Sequence, residues 1–152
     1  MLRIGKLTDY ASVLMTCLAG RPGEVLAASE LAESVHLELP TVSKLLKQLA
    51  TAGLVESRRG IQGGYRLARP ASEISMLQIV VALEGPLGMT ECSVVQGSCG
   101  HEPHCRVQSN WRHISRVVEK ALAEVSLADM LSPQPATAAY TLRTAPARAS
   151  LG

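Results

Sequence analysis

The chain has 152 residues, a formal net charge of +2 and only 3% aromatic residues, with no Phe. That length suffices for one compact domain, or a small domain plus an extension, around an aliphatic core suited to helices packed on helices. The longest apolar runs, such as MLQIVVAL at 76–83, are far too short to cross a membrane, and no membrane partner is expected. Arg3, Lys6 and Asp9 interrupt the N-terminal stretch and no small-residue cleavage site follows an apolar core, so the expected location is cytoplasmic.

The small net charge conceals an uneven distribution. Residues 1–70 hold nine Lys/Arg against six Asp/Glu, whereas 71–131 hold four against seven. Within 40–69 the basic residues Lys44, Lys47, Arg58, Arg59, Arg66 and Arg69 face only Glu56. Such a patch is often plain solvated surface, and its position on the fold decides whether it meets nucleic acid.

In chain order, KLTDYASVLMTCLAG places Leu7, Tyr10, Ala11, Leu14, Cys17 and Leu18 on one helical face, and Gly20 to Gly23 end the helix. Cys17 lies on that apolar stripe and reads as a buried structural thiol. ASELAESVHL forms a short second helix burying Leu31, Ala32 and Val35. Pro40 opens a third helix at its favoured first position, with Val42, Leu45, Leu46 and Leu49 inward and Gly53 as its stop. Its outer face is Thr41, Ser43, Lys44, Lys47 and Gln48. Two short helices joined by a tight turn, the second basic outside, fit a helix-turn-helix.

LVESRRGIQGGYRL then reads as two short strands, 54–58 and 65–67, around Gly60, Gly63 and Gly64. Those glycines permit positive backbone angles and close approach of backbone to a phosphate, and a hairpin placed here is a wing. Arg58, Arg59 and the Gly63-Gly64-Tyr65 turn would track the DNA backbone or minor groove, while Thr41, Ser43, Lys44, Lys47 and Gln48 enter the major groove. The glycines match neither a Rossmann nor a Walker pattern. EISMLQIVVALEGP starts a further helix, with Ser75 and Gln78 as a capping box and Ile74 stapling to Ile79.

Beyond Pro86 the loop ECSVVQGSCGHEPHC carries Cys92, Cys99 and Cys105. In a reducing compartment grouped cysteines serve metals or redox chemistry more often than bridges. Their spacing, C-x6-C-x5-C, lacks the paired knuckles of most structural zinc sites, and soft sulfur suits zinc, copper(I) or an iron-sulfur cluster. Three unliganded thiols remain open as well. A closed site needs a fourth ligand, and His101, His104, Glu91 and Glu102 lie in the loop. No signature of a nucleophilic cysteine surrounds any of the thiols, so an enzyme is not expected.

After the loop, Val107, Trp111, Ile114, Val118, Ala121 and Val125 recur as a heptad seam suited to pairing with a second copy of the chain. Ser126 and Asp129 cap a last turn, and the Pro- and Ala-rich segment 132–152 reads as a disordered tail. The expected fold is therefore mainly α with a small β-hairpin. It comprises a winged helix-turn-helix over 1–85, a cysteine loop over 86–106, a dimerisation helix with a short turn over 107–131, and the tail.

LTDYA, the helix-turn-helix, RRGIQGGYRLARPASEISMLQIVVALEGP, the three cysteines and WRHISRVVEKALAEVSLADML together resemble the Rrf-two family of winged-helix regulators, including the IscR, SufR and NsrR types. The similarity covers residues 1 to about 131 and is nearest to proteobacterial regulators of SUF iron-sulfur assembly operons. The resemblance implies a homodimer on double-stranded promoter DNA, with an iron-sulfur cluster on Cys92, Cys99 and Cys105 controlling promoter binding as repressor or activator. IscR-like members place a histidine three residues after the last cysteine, where this chain has Gln108. NsrR-like members use an aspartate of the partner subunit, and LTDYA puts Asp9 at the matching position, with His104 as the alternative. Asp9 equally suits an acid stabilising the first turn of its helix. The cluster is thus [2Fe-2S] or [4Fe-4S]; a nitric-oxide sensor of the same fold and a zinc-structured DNA-binding protein are the alternatives.

Overall fold

A computed structural model describes residues 3–132. Among these residues, six helices and one hairpin occur in the order α1 (Lys6–Ala19), α2 (Ala28–Ser34), α3 (Leu39–Thr51), β1 (Val55–Arg58), β2 (Gly64–Leu67), α4 (Met76–Glu84), α5 (Glu91–Val94) and α6 (Gln108–Glu124), with single 3-10 turns after β2, α5 and α6. The expected mainly helical architecture with a small antiparallel hairpin is what folds. The 132–152 tail lies outside the described residues, apart from Ser132.

Leucine fills the space that Phe would otherwise occupy. Leu14 and Met15 of α1, Leu31 of α2, Leu45, Leu46 and Leu49 of α3, and Ile79 of α4 are fully buried together. Each lies at helical spacing from its neighbours, so three amphipathic helices and α4 close one core. The face of α1 departs from expectation at its start. Leu7 is exposed, and Thr8 is buried instead, its hydroxyl donating to Glu84 Oε1 at 2.6 Å. The same oxygen accepts from the Gly5 N–H at 2.7 Å, which fastens the start of α1 to the end of α4.

The third helix begins one residue early, at Leu39, so Pro40 is its second residue; neither position has an N–H needed within the helix. Gly53 ends it with φ +71°, a conformation that L side chains resist, and Leu54 N–H donates back to Leu49 O. Ser75 and Gln78 form the expected reciprocal cap of α4, and Ile74 and Ile79 are both fully buried beside it.

The chain returns to this core after α6. Leu127 is fully buried, its N–H donating to Ile74 O at 2.7 Å, and Met76 N–H donates to Val125 O. The last turn is fixed by Asp129, whose carboxylate accepts from the Ser126 hydroxyl at 2.6 Å and the Ser126 N–H at 2.8 Å. The Ser126 hydroxyl, and then its N–H, hold that carboxyl below its ordinary value. Both ends of α6 are therefore tethered, one through Leu127 to the core and the other to the cysteine loop. No helix among the described residues is long and apolar enough to cross a membrane.

Candidate nucleic-acid interface and cysteine loop

The turn between α2 and α3 is tight, with His36 at φ +53°. Because α3 buries Val42, Leu45, Leu46 and Leu49, its exposed side is set by what remains: Lys44 and Lys47 are exposed, while Thr41 and Ser43 are half-buried beside them. Gln48 departs from the expected outer face. It is half-buried, its side-chain oxygen is enclosed without a hydrogen-bond partner, and it lines a small cavity with Lys47, Thr51 and Ala82 of α4. Gln48 thus sits on the flank of α3 turned toward α4, next to Lys47.

The hairpin stands next to this helix. Glu56 and Arg66 pair across the strands, with Arg66 donating to Glu56 Oε2 at 2.8 and 3.0 Å, so one arginine of the basic patch is engaged. Arg58 and Arg59 are exposed and, among the described residues, form no ion pair. The glycines serve the hairpin differently from expectation. Only Gly60 has positive φ; Gly63 and Gly64 do not. A Cβ on Gly63 would meet Arg58 O at 2.6 Å, and one on Gly64 would collide with Leu26 O. Tyr65 exchanges two backbone hydrogen bonds with Leu26, at 2.8 and 2.9 Å, so the close approach at Gly64 is to the protein's own chain. It locks the wing against the segment entering α2.

The cysteine loop is partly ordered by a helical turn that its sequence did not announce. Cys92 lies in α5 and is buried at 8% exposure, whereas Cys99 and Cys105 are half-buried. Thr90 Oγ1 lies 3.3 Å from Cys92 Sγ and 2.7 Å from Ser93 Oγ. All four cysteines of the chain are free thiols; Cys17 packs against the core but is half-buried rather than buried as expected.

Residues that the sequence reading passed over hold this loop to α6. Arg112 Nε donates to the Cys92 carbonyl at 3.2 Å, and its NH2 group reaches Glu102 Oε1 at 3.4 Å. Glu102 also accepts from Gln108 Nε2 at 2.5 Å and from Gly97 N–H at 2.6 Å. Buried Ser115 accepts from Met89 N–H at 3.1 Å and donates to Trp111 O. Arg112 and Ser115 stand one turn apart on α6, which is the signal that could have found them; a search for apolar periodicity passes over a polar inner face.

Three soft thiols in one loop have the donor chemistry of an iron-sulfur or zinc centre. Their arrangement is open: among the described residues no three His, Cys, Asp or Glu side chains form a group that could hold a metal ion. His104 is exposed in a 3-10 turn, with its ring 6.3 Å from that of His101. Asp9 is exposed in the first turn of α1. Gln108, at the position of the IscR-type histidine, is engaged with Glu102.

A family model for Rrf2, the iron-dependent transcriptional regulators, matches residues 4–133. The chain belongs to the Rrf2 family. Among its relatives, a helix-turn-helix transcriptional regulator of Neisseria meningitidis is 34% identical over 103 residues, spanning 68% of this chain and 69% of that protein. The structure of CymR, the global cysteine regulator of B. subtilis, superposes with a TM-score of 0.69 at 28% identity, covering 89% of this chain and all of that one. That of T. potens IscR gives 0.65 at 31% identity, covering 86% of each chain. These matches make the protein a winged-helix Rrf2 transcriptional regulator, in line with the expectation that it is not an enzyme.

Proposed function

We propose that this Rrf2 regulator is a homodimer that binds promoter DNA under the control of an iron-sulfur cluster held by Cys92, Cys99 and Cys105, and that its targets are the SUF genes of cluster assembly. The observation that carries the reading is a loop with three free thiols that is held, at the Cys92 carbonyl and Glu102, by Arg112 of the helix that bears an exposed apolar seam. Bound there, the cluster supplies a redox- and iron-sensitive crosslink of the loop. Asp9 of the partner subunit is the proposed fourth ligand, with His104 as the alternative.

The seam residues Val107, Trp111, Ile114 and Val125 are between 38% and 50% exposed, which favours their burial against a second chain. Lys44 and Lys47, with Thr41 and Ser43 beside them, would enter the major groove. Arg58 and Arg59 would reach the flanking backbone from a wing positioned by Gly63, Gly64 and Tyr65. A bound cluster would change the operator affinity by biasing the angle between the two α3 helices. Fluorescence anisotropy on a SUF promoter fragment, with anaerobically loaded and cluster-free protein, tests this. The expected affinities differ by about tenfold or more; identical affinities would refute cluster control.

The open spacing of the thiols favours a second reading, a regulator of the same fold whose loop cysteines carry no cluster. It predicts DNA binding that is indifferent to iron and a protein that stays colourless.

A further inference from the structure

The geometry points to Arg112 and Glu102 as the junction that seats the cysteine loop on α6 while its thiols stand apart, and that must be exchanged when the thiols close on a cluster. The regulatory half of this inference rests on the cluster reading; the seating itself does not.

Arg112 reaches two points of the loop that lie 20 and 10 residues upstream, the Cys92 carbonyl and the Glu102 carboxylate. Glu102 lies between Cys99 and Cys105, and its side chain is only 13% exposed. Besides Arg112 it takes hydrogen bonds from Gly97, just before Cys99, and from Gln108, just after Cys105. One guanidinium and one carboxylate thus tie down the chain beside all three thiols. An exposed ion pair contributes little, but here a carboxylate withdrawn from water collects three donors. Removing Arg112 takes away the donor to the Cys92 carbonyl and the one cation among the three donors to Glu102.

While the loop is held this way, no three ligating side chains come together. On this proposal, gathering Cys92, Cys99 and Cys105 around one centre shifts the segment of α5 relative to that of Glu102, and both of those segments end on Arg112. Arg112 also follows Trp111 of the exposed seam, so a change on the inner face of α6 is one residue from the surface proposed to pair. Cluster occupancy is thereby felt by α6 at Arg112.

The test uses the full-length, cluster-free protein. Timed alkylation with iodoacetamide, read cysteine by cysteine from peptide masses, is compared for wild type, Arg112→Met, Glu102→Gln and the double variant. Cys92 is expected to react about tenfold faster in either single variant, with little further gain in the double variant. Cys17 in the helix-turn-helix core reports general unfolding and is expected to keep its wild-type rate. An unchanged Cys92 rate, or a parallel rise at Cys17, would overturn the seating.

The coupling is read separately, as the ratio of operator affinities for cluster-loaded and cluster-free protein. That ratio should fall toward one in both single variants while cluster absorption persists, and a full wild-type ratio in both would overturn the coupling. If wild type takes up no cluster at all, the cluster reading fails, and the alkylation result still decides the seating.

Discussion

At Gly64 a single methyl group has no room, because the carbonyl of Leu26 occupies the place where a Cβ would stand. The contact fixes the angle of the wing, and the sequence showed only that a glycine pair occurs in a turn, not which backbone would press on it. Gly64→Ala should destabilise the protein by about 1–3 kcal/mol through overpacking, read from urea denaturation. It should also weaken DNA binding more than this loss of folded protein explains. Lys47 and Arg59 act differently, as exposed cations whose removal leaves the fold intact. Alanine at either position should reduce the salt dependence of DNA binding by about one ion per site across all sequences. An unchanged slope in both variants would move the DNA elsewhere on the surface. Gln48 shows the limit of a helical wheel at this scale: its enclosed side-chain oxygen depends on the approach of α4 at Ala82, which the wheel of α3 alone does not contain.

Among the elements, α6 has two faces of opposite character, and only one of them was legible. Apolar residues at heptad spacing announced the outer seam, and the structure leaves Trp111 and Ile114 exposed on it. The inner face is built from Arg112, Ser115, Leu122 and also Val118, which the heptad spacing had placed on the seam but which is half-buried beside Val80 of α4. Its polar half escaped detection because hydrogen bonds to a loop carry no periodic signature. The cap of α4 and the stop of α3 were legible for the converse reason, since both are local in sequence and need no distant partner. The short α5 was not, for a four-residue turn has too few positions to show a period. Because the seam contributes little to the protomer's own core, Ile114→Asp should leave the circular dichroism spectrum unchanged. It should raise the dissociation constant of the proposed dimer by about thirtyfold or more in sedimentation equilibrium. A variant that stays dimeric at the same concentrations would place the interface on another surface.

Over the whole molecule, the parts form one mechanical path. The recognition helix and wing share a leucine core with α4, the segment after α6 returns to that core through Leu127, and the other end of α6 receives the cysteine loop through Arg112, Glu102 and Ser115. The loop and the DNA-binding half are thus joined through a helix anchored at both ends, which is the path that the proposed control by a loop cofactor would use. The mainly helical fold and its hairpin were readable from local patterns and from family likeness. The relative placement of the three thiols was not, because a linear spacing does not fix where side chains stand in space.

The central claim is that the loop thiols hold an iron-sulfur cluster. It is tested most directly by the visible absorption spectrum of anaerobically purified protein together with its iron, sulfide and zinc content, for wild type and for Cys92→Ala, Cys99→Ala and Cys105→Ala. The account predicts a brown wild-type protein with matched iron and sulfide, and loss of the charge-transfer absorption in each of the three variants. A colourless wild type holding about one zinc per chain, or one holding no metal, would contradict it.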